Sequence, residues 1–476
     1  MKILLIIEDI TIGGGAERVV VNLANALSAM GFDSGKYCCG GSKPQIEVLS
    51  LKNKNKNIPY PLSTEVRVIY YHNLCDLPLY KDDIKTIKGH YKRLYIKSKV
   101  FLYKLRFLVK FKLIKTGEVL QRKLNVVINK NQYDFVIDNT FADFYPYYKN
   151  KNTKYIHIKH ISYYFLSQCM NDKYFKSLKN FDTLILLTDK ELDIWQRYHS
   201  NVKVIPNFLP TIPQVSTNHS QKVVLSVGRM DNGDQKGFLR LLDIWKVVQT
   251  KIMDCHDSAL PYLAMTTPHS SLRGESNAHE SSLQNSTKCT PFSSLRGESM
   301  DSPKQSINPK MDCHESLRDS RNDGVENDLN EWKLIIVGDG VLKSEIESKI
   351  RTLNLGESVL LKPFTKDIER EYLSASIYAM ASHFEGFPMV LLESTAYGLA
   401  PISFDIATGP SEIIEHNKSG FLIADNDLQG YADKLIALMR DVSMRKRFSN
   451  EAKKIVEKRF SKEVIMEKWR EVFGIK

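Results

Sequence analysis

The stretch SHFEGFPMVLLESTAYG, residues 382–398, decides the fold. It follows YAMA at 378–381, an apolar run that suits a buried parallel strand. A polar loop through His383, Phe384, Glu385 and Gly386 then turns into a helix, with Pro388 expected at its first position and Gly398 at its stop. The helix is apolar or small almost all round, so burial is expected, yet it carries Glu393 in its middle. A buried carboxylate is costly unless something bonds it. Glu385 stands eight residues earlier, at the helix mouth. Two carboxylates with free backbone N–H groups between them suit a ligand bearing both hydroxyls and phosphates. The plainer alternative is one solvated loop Glu and one Glu on a partly exposed helix face.

Upstream, strand and helix patterns alternate, which argues for parallel sheets with crossovers. The first strand, KILLII, leads into Gly13, Gly14, Gly15, Ala16, Glu17 and Arg18, and then into a helix with Val19, Leu23, Leu27 and Met30 on one face. A strand, a glycine turn and a helix start form an anion site, because glycine lets a ligand approach the backbone. The turn lacks the third glycine of the dinucleotide fingerprint and the Gly-Lys-Ser/Thr of a P-loop. Further strands are expected at 35–39, 66–70, 135–138, 155–158, 183–187 and 202–205. His160 falls at the C-terminal edge of one of them, where parallel α/β sheets hold ligands, while His157 reads as core. After a linker at 211–221 the pattern restarts with a strand at 222–227. Arg229 and Lys236 flank its turn, and two cations beside a helix start suit a diphosphate. Domains are therefore expected at 1–210 and 222–460, with a closing helix at 461–476 packing back on the first.

Two segments depart from this pattern. Residues 84–123 hold thirteen Lys or Arg and one acid, Glu118, interleaved with aromatic and aliphatic residues. That composition fits an anionic membrane surface, a long amphipathic helix or, less well, nucleic acid, which is not expected as a partner here. Residues 252–329 repeat themselves: SSLRGES recurs at 270–276 and 293–299, and MDCHDS at 253–258 returns as MDCHES at 311–316. Such polar, recycled sequence reads as a disordered insertion.

The net charge of +12 over 476 residues calls for an anionic partner. No run is long enough to span a membrane, and the N-terminal start reads as a strand, not a signal peptide. Seven cysteines without metal-like spacing suggest a reduced, cytoplasmic protein with neither zinc nor disulfides.

In order along the chain, GGGAER (13–18), VGRMDNGDQKG (227–237), VGDG (337–340), EGFPMVLLE (385–393) and GPSEII (409–414) before NKSGFLI resemble the landmarks of GT-B glycosyltransferases of retaining family 4. The resemblance implies an α/β architecture of two Rossmann-like domains facing a cleft. It implies that Glu393 bonds the ribose of a nucleotide-sugar, with UDP as the expected nucleotide, and that Glu385 contacts the transferred sugar. Arg229 and Lys236 would hold the diphosphate, helped by backbone N–H groups from Gly386 and Phe387 through Met389 and Val390. Gly14 and Gly15 would close over the phosphates, and His160 would approach the sugar. No metal and no further cofactor are implied, no side chain is an evident nucleophile, and the leaving phosphate is expected to take the acceptor's proton. The implied acceptor is a glycan or lipid-linked glycan at the inner membrane face, in polysaccharide, lipopolysaccharide or glycoprotein glycan synthesis. An epimerase on the same fold and a basic nucleic-acid-binding protein are the alternatives. The acidic stretch Asp231–Asp234 before Lys236 is about one residue longer than the family pattern, which leaves the pose of Lys236 open.

Overall fold

The computed structural model describes residues 1–31, 43–55, 57–71, 124, 126, 128–140, 149–170, 172–259 and 329–475. The first unit contains β1 (Lys2–Ile7), β2 (Gln45–Ser50), β3 (Val66–Tyr70), β4 (Phe135–Asp138), β5 (Lys154–Lys159), β6 (Thr183–Leu186) and β7 (Val202–Val204). They form one sheet in the order β3-β2-β1-β4-β5-β6-β7, parallel at every pair. The second unit contains β8 (Val223–Val227), β9 (Lys333–Val337), β10 (Val359–Lys362), β11 (Ile377–Met380), β12 (Ala400–Asp405) and β13 (Phe421–Ala424), in the order β10-β9-β8-β11-β12-β13. In both sheets the strand order reverses beside the first strand, at β1 and at β8. A crevice opens at such a reversal beyond the carboxyl ends of the strands. The two glycine turns and the Glu385 loop follow strands that flank these reversals (β1, β8 and β11), and His160 follows β5, one strand beyond β4.

The helices that carry the argument are α1 (Gly15–Ser28), α2 (Tyr163–Cys169), α3 (Phe238–Ala259), α4 (Met389–Ala396), α5 (Val442–Phe460) and α6 (Lys462–Phe473). Val19, Leu23, Leu27 and Met30 of the α1 pattern are all buried. In α4 every residue except Val390 is buried, as its all-round apolar sequence demands. One core cluster joins the two units, with Val19 and Ile158 of the first packed in the same cluster as Phe387, Leu391 and Trp469. Helix α6 returns to the first unit: the Phe473 and Phe135 rings are 4.7 Å apart, and Arg470 Nη2 donates to the Gly31 carbonyl at 3.3 Å.

Several boundaries differ from the sequence reading. Pro388 does not open α4; it stands one residue before it, and the N–H groups of Leu391 and Leu392 both donate to its carbonyl at 3.1 Å. Strand β2 has no counterpart among the expected strands, although it pairs along its whole length with β1. Its buried Glu47, which accepts from the Tyr133 hydroxyl, breaks the apolar run that would have marked it. The insertion was drawn too wide at both ends. Helix α3 continues to Ala259, and Ile252 and Leu329 are each 2% exposed within the second unit's core. The rest of that tract, 260–328, lies outside the described residues, as do the expected strand at 35–39 and the basic stretch 84–123.

Candidate active site between the two units

The loop after β11 places Glu385 among charged and polar side chains and nearly closes it off from the surface. Glu385 is 6% exposed; Lys236 Nζ donates to its Oε1 at 2.7 Å, and Ser382 Oγ donates to the same oxygen at 2.8 Å. The backbone is pinned as well, since Thr408 Oγ1 donates to the Glu385 carbonyl. Arg240 fixes the loop's start by donating to the carbonyls of Ala381 and Ser382 and to Asp425 Oδ1 at 2.8 Å. Lys236, expected from the sequence to hold a diphosphate, is thus also the ion-pair partner of Glu385.

Glu393 is equally enclosed, at 4% exposed in the middle of α4. Tyr372 donates its hydroxyl to Oε2 at 3.1 Å. On the other oxygen, Arg18 Nη1 of the first unit lies 2.7 Å from Oε1, an ion pair without hydrogen-bond alignment. Burial pushes the Glu393 carboxyl above the usual carboxylate range, opposed by Arg18 and Tyr372. Between the two carboxylates, the first N–H groups of α4, at Met389 and Val390, have no intrahelical acceptor and are open to an anion.

The turn after β8 answers the question its extra acids posed. Asp234 sits at φ +51° and its carboxylate accepts from the N–H groups of Phe238 and Leu239 at 2.8 and 3.0 Å. It therefore caps α3 and takes up donors that a phosphate could have used. Asp231 Oδ2 pairs with Arg229 Nη2 at 3.0 Å, and the Arg229 side chain is 57% exposed. Gly237, at φ +67°, brings the backbone against the Ala381 carbonyl so closely that a Cβ has no room.

The first unit supplies the opposite wall. His160 follows β5 and is partly buried, with Nε2 3.1 Å from Asn139 Oδ1. Burial, together with His157 and Lys159, holds its imidazole down at about 4, so the ring is neutral at neutral pH. Its carbonyl lies directly against Gly386, and only glycine permits that approach. Thus the backbone at His160 touches the backbone beside Glu385 across the crevice, and the Phe165 and Phe384 rings stack 4.8 Å apart between the same two loops. A Cβ on Gly14 would meet Glu17 Oε2 and lie 3.6 Å from Arg229 Nη1, so the first glycine turn and the second unit's cation share one corner. Gly13 and Gly15 have open space around them. Tyr60 donates its hydroxyl to the Gly14 carbonyl at 2.9 Å and steadies the turn. Burial pushes the Glu17 carboxyl up, with Arg229 opposing.

His157, read as core, is indeed buried, and its Nδ1 lies 2.5 Å from Asp138 Oδ2. Arg18, Ser382, Tyr372, Arg240 and Asn139 carried no assigned role in the sequence. Arg18 could have been found, since it ends the glycine motif; the others act through contacts between distant segments. Among the described residues no group of three or more His, Cys, Asp or Glu side chains could hold a metal ion, and no helix is long and apolar enough to cross a membrane.

Residues 317–455 match the family model of glycosyl transferases group 1. An uncharacterized glycosyltransferase of Haemophilus influenzae is 24% identical over 475 residues, covering 98% of this chain and 99% of the relative. A Campylobacter jejuni enzyme that adds N-acetylgalactosamine to a diphospho-undecaprenol-linked glycan is 36% identical over 121 residues, a quarter of this chain (25%) and 33% of the relative. Among solved structures, Staphylococcus aureus TarM in complex with fondaparinux, α-GlcNAc-glycerol and UDP superposes with a TM-score of 0.62 at 15% identity, covering 99% of both chains.

Proposed function

Since the chain is a glycosyltransferase with the GT-B fold, we propose that it transfers a hexose or N-acetylhexosamine from a UDP-sugar, with retention, to a glycan or lipid-linked acceptor in cell-surface glycan synthesis. The observation that carries the reading is the pair of buried carboxylates, Glu385 and Glu393, flanking the open N–H groups at the start of α4. Glu393 accepts from the ribose hydroxyls. The β-phosphate lies at the α4 mouth, and Glu385 meets the hydroxyls of the sugar. As the sugar–phosphate bond breaks, negative charge grows on the diphosphate, and Arg229, Lys236 and the α4 N–H groups stabilise it. Lys236 serves both ends in this proposal, holding Glu385 in place through their ion pair and facing the leaving diphosphate. Neutral His160 can donate to, or accept from, a sugar hydroxyl but carries no charge into the transition state.

The reading is tested by screening UDP-sugars with purified protein and membrane extract. Glu385→Ala and Lys236→Ala should each lower turnover by roughly 10²–10³-fold in protein that still folds, with a lowered melting temperature because each leaves a buried charge without its partner. Full activity in either variant removes that residue from the site, and a melting point indifferent to UDP removes the nucleotide. Membrane attachment is part of the same proposal: neutralising Lys92, Arg93, Lys97 and Lys99 should reduce co-sedimentation with anionic liposomes. Unchanged sedimentation would assign attachment elsewhere.

A further inference from the structure

We infer that Arg18 competes with the donor's ribose for Glu393, so the first unit screens the donor site and admits only ligands that also bring phosphates. The inference rests on the donor-site role of Glu393 given above. Arg18 stands on α1 of one unit and Glu393 on α4 of the other, and their ion pair at 2.7 Å crosses the crevice. The carboxylate is nearly enclosed, its side chain 6% exposed, whereas that of Arg18 is 35% exposed. The guanidinium is the more exposed partner and supplies the charge that makes burial of Glu393 tolerable. Oε2 is held by Tyr372, itself fully buried and fixed. Oε1 accepts no aligned hydrogen bond, so it is the atom a ribose hydroxyl would take, and Arg18 occupies its approach.

The neighbouring charges make this more than a chance contact. Lys236 is paired with Glu385, and Arg229 with Asp231, so the two cations of the second unit's turn already have anions from the chain. A nucleoside offers neutral hydroxyls in exchange for a guanidinium, which is a poor exchange for a desolvated carboxylate. A nucleoside diphosphate offers the same hydroxyls together with an anion. Arg18 follows Gly14 and Gly15 on the first turn of α1, so the displaced guanidinium has that anion within reach of the same turn. The exchange therefore selects against uridine and for UDP, although both present the same ribose.

The test is binding of uridine and UDP, by calorimetry or ligand-detected NMR, to the full chain and to Arg18→Gln, Arg18→Lys and Glu393→Gln. Arg18→Gln should bind uridine about tenfold more tightly than wild type, the size of one modest electrostatic penalty, and its preference for UDP over uridine should shrink. Arg18→Lys, which keeps the charge, should stay close to wild type. Uridine affinity that is unchanged or weaker in folded Arg18→Gln overturns the inference. Glu393→Gln separates the two levels: if it leaves uridine binding intact, the donor-site role itself fails. If it weakens uridine while Arg18→Gln does not strengthen it, only the competition fails. Should Arg18→Gln not fold, salt dependence of uridine binding to wild type decides. A neutral ligand should bind more tightly at high salt if it must break an ion pair, and salt-independent or weakening binding overturns the inference.

Discussion

Two turns in this molecule occupy the same place in two sheets of the same order, yet they are built to different ends. Both follow the strand beside which the order reverses, and both bend an acid over a helix start. In the second unit, Asp234 is bonded to two backbone N–H groups, and Gly237 is required by a positive φ and a neighbouring carbonyl. That turn is closed. In the first unit, Gly13 and Gly15 border open space, and what crowds Gly14 is the movable end of Glu17. That turn is kept open by a side chain that can leave. Glycine is common to both, but in one it serves the backbone and in the other it leaves space beside the helix start.

Substitutions can break this contrast. Gly237→Ala carries the largest expected effect: positive φ plus a backbone clash should cost at least about 3 kcal/mol, read as a lowered denaturant midpoint. A wild-type midpoint would show the second turn to be as adaptable as the first. Gly14→Ala should keep the melting temperature, because Glu17 can swing away, while raising the donor KM about tenfold if, as proposed, the phosphates approach that turn. Asp234→Ala should lose roughly 1–2 kcal/mol of stability through its cap, with turnover largely retained. Glu17→Gln has the smallest effect and a distinct pH signature. Burial raises the Glu17 carboxyl in the folded state, so its ionisation disfavours folding as pH rises through that raised value. The variant should therefore match wild type in melting temperature below about pH 4.5 and exceed it slightly at pH 7. A lower melting temperature at pH 7 would make Glu17 a true cap like Asp234.

The second unit was far more legible in sequence than the first. Glu385 and Glu393 lie on one loop and one helix, so their spacing carries their geometry, and the buried strand before them fixes the edge from which they emerge. The restart at β8 and the turn through Arg229 and Lys236 were equally local. By contrast, the Arg18–Glu393 pair joins residues 375 positions apart in the chain (393 minus 18), and no local pattern encodes it. Strand β2 escaped because Glu47 interrupts its apolar run, although the strand is otherwise buried after its first residue. The pairing of Arg229 with Asp231 and the capping by Asp234 were hidden for a different reason. Their roles depend on φ values at Gly233 and Asp234 that composition suggests but does not determine.

The chain passes between the two units twice, and the two passages run side by side. Leu209 on the outward passage bridges to Ser461 on the return, and its N–H donates to the Phe460 carbonyl at 3.0 Å. A single tether would let one unit swivel and twist freely on the other. Two adjacent crossings leave the line through both as the least hindered axis of relative rotation. Helix α6, fixed to the first unit beyond the second crossing, keeps that line from drifting. A rotation about that line would move the His160 carbonyl and Gly386, now in contact, along one arc.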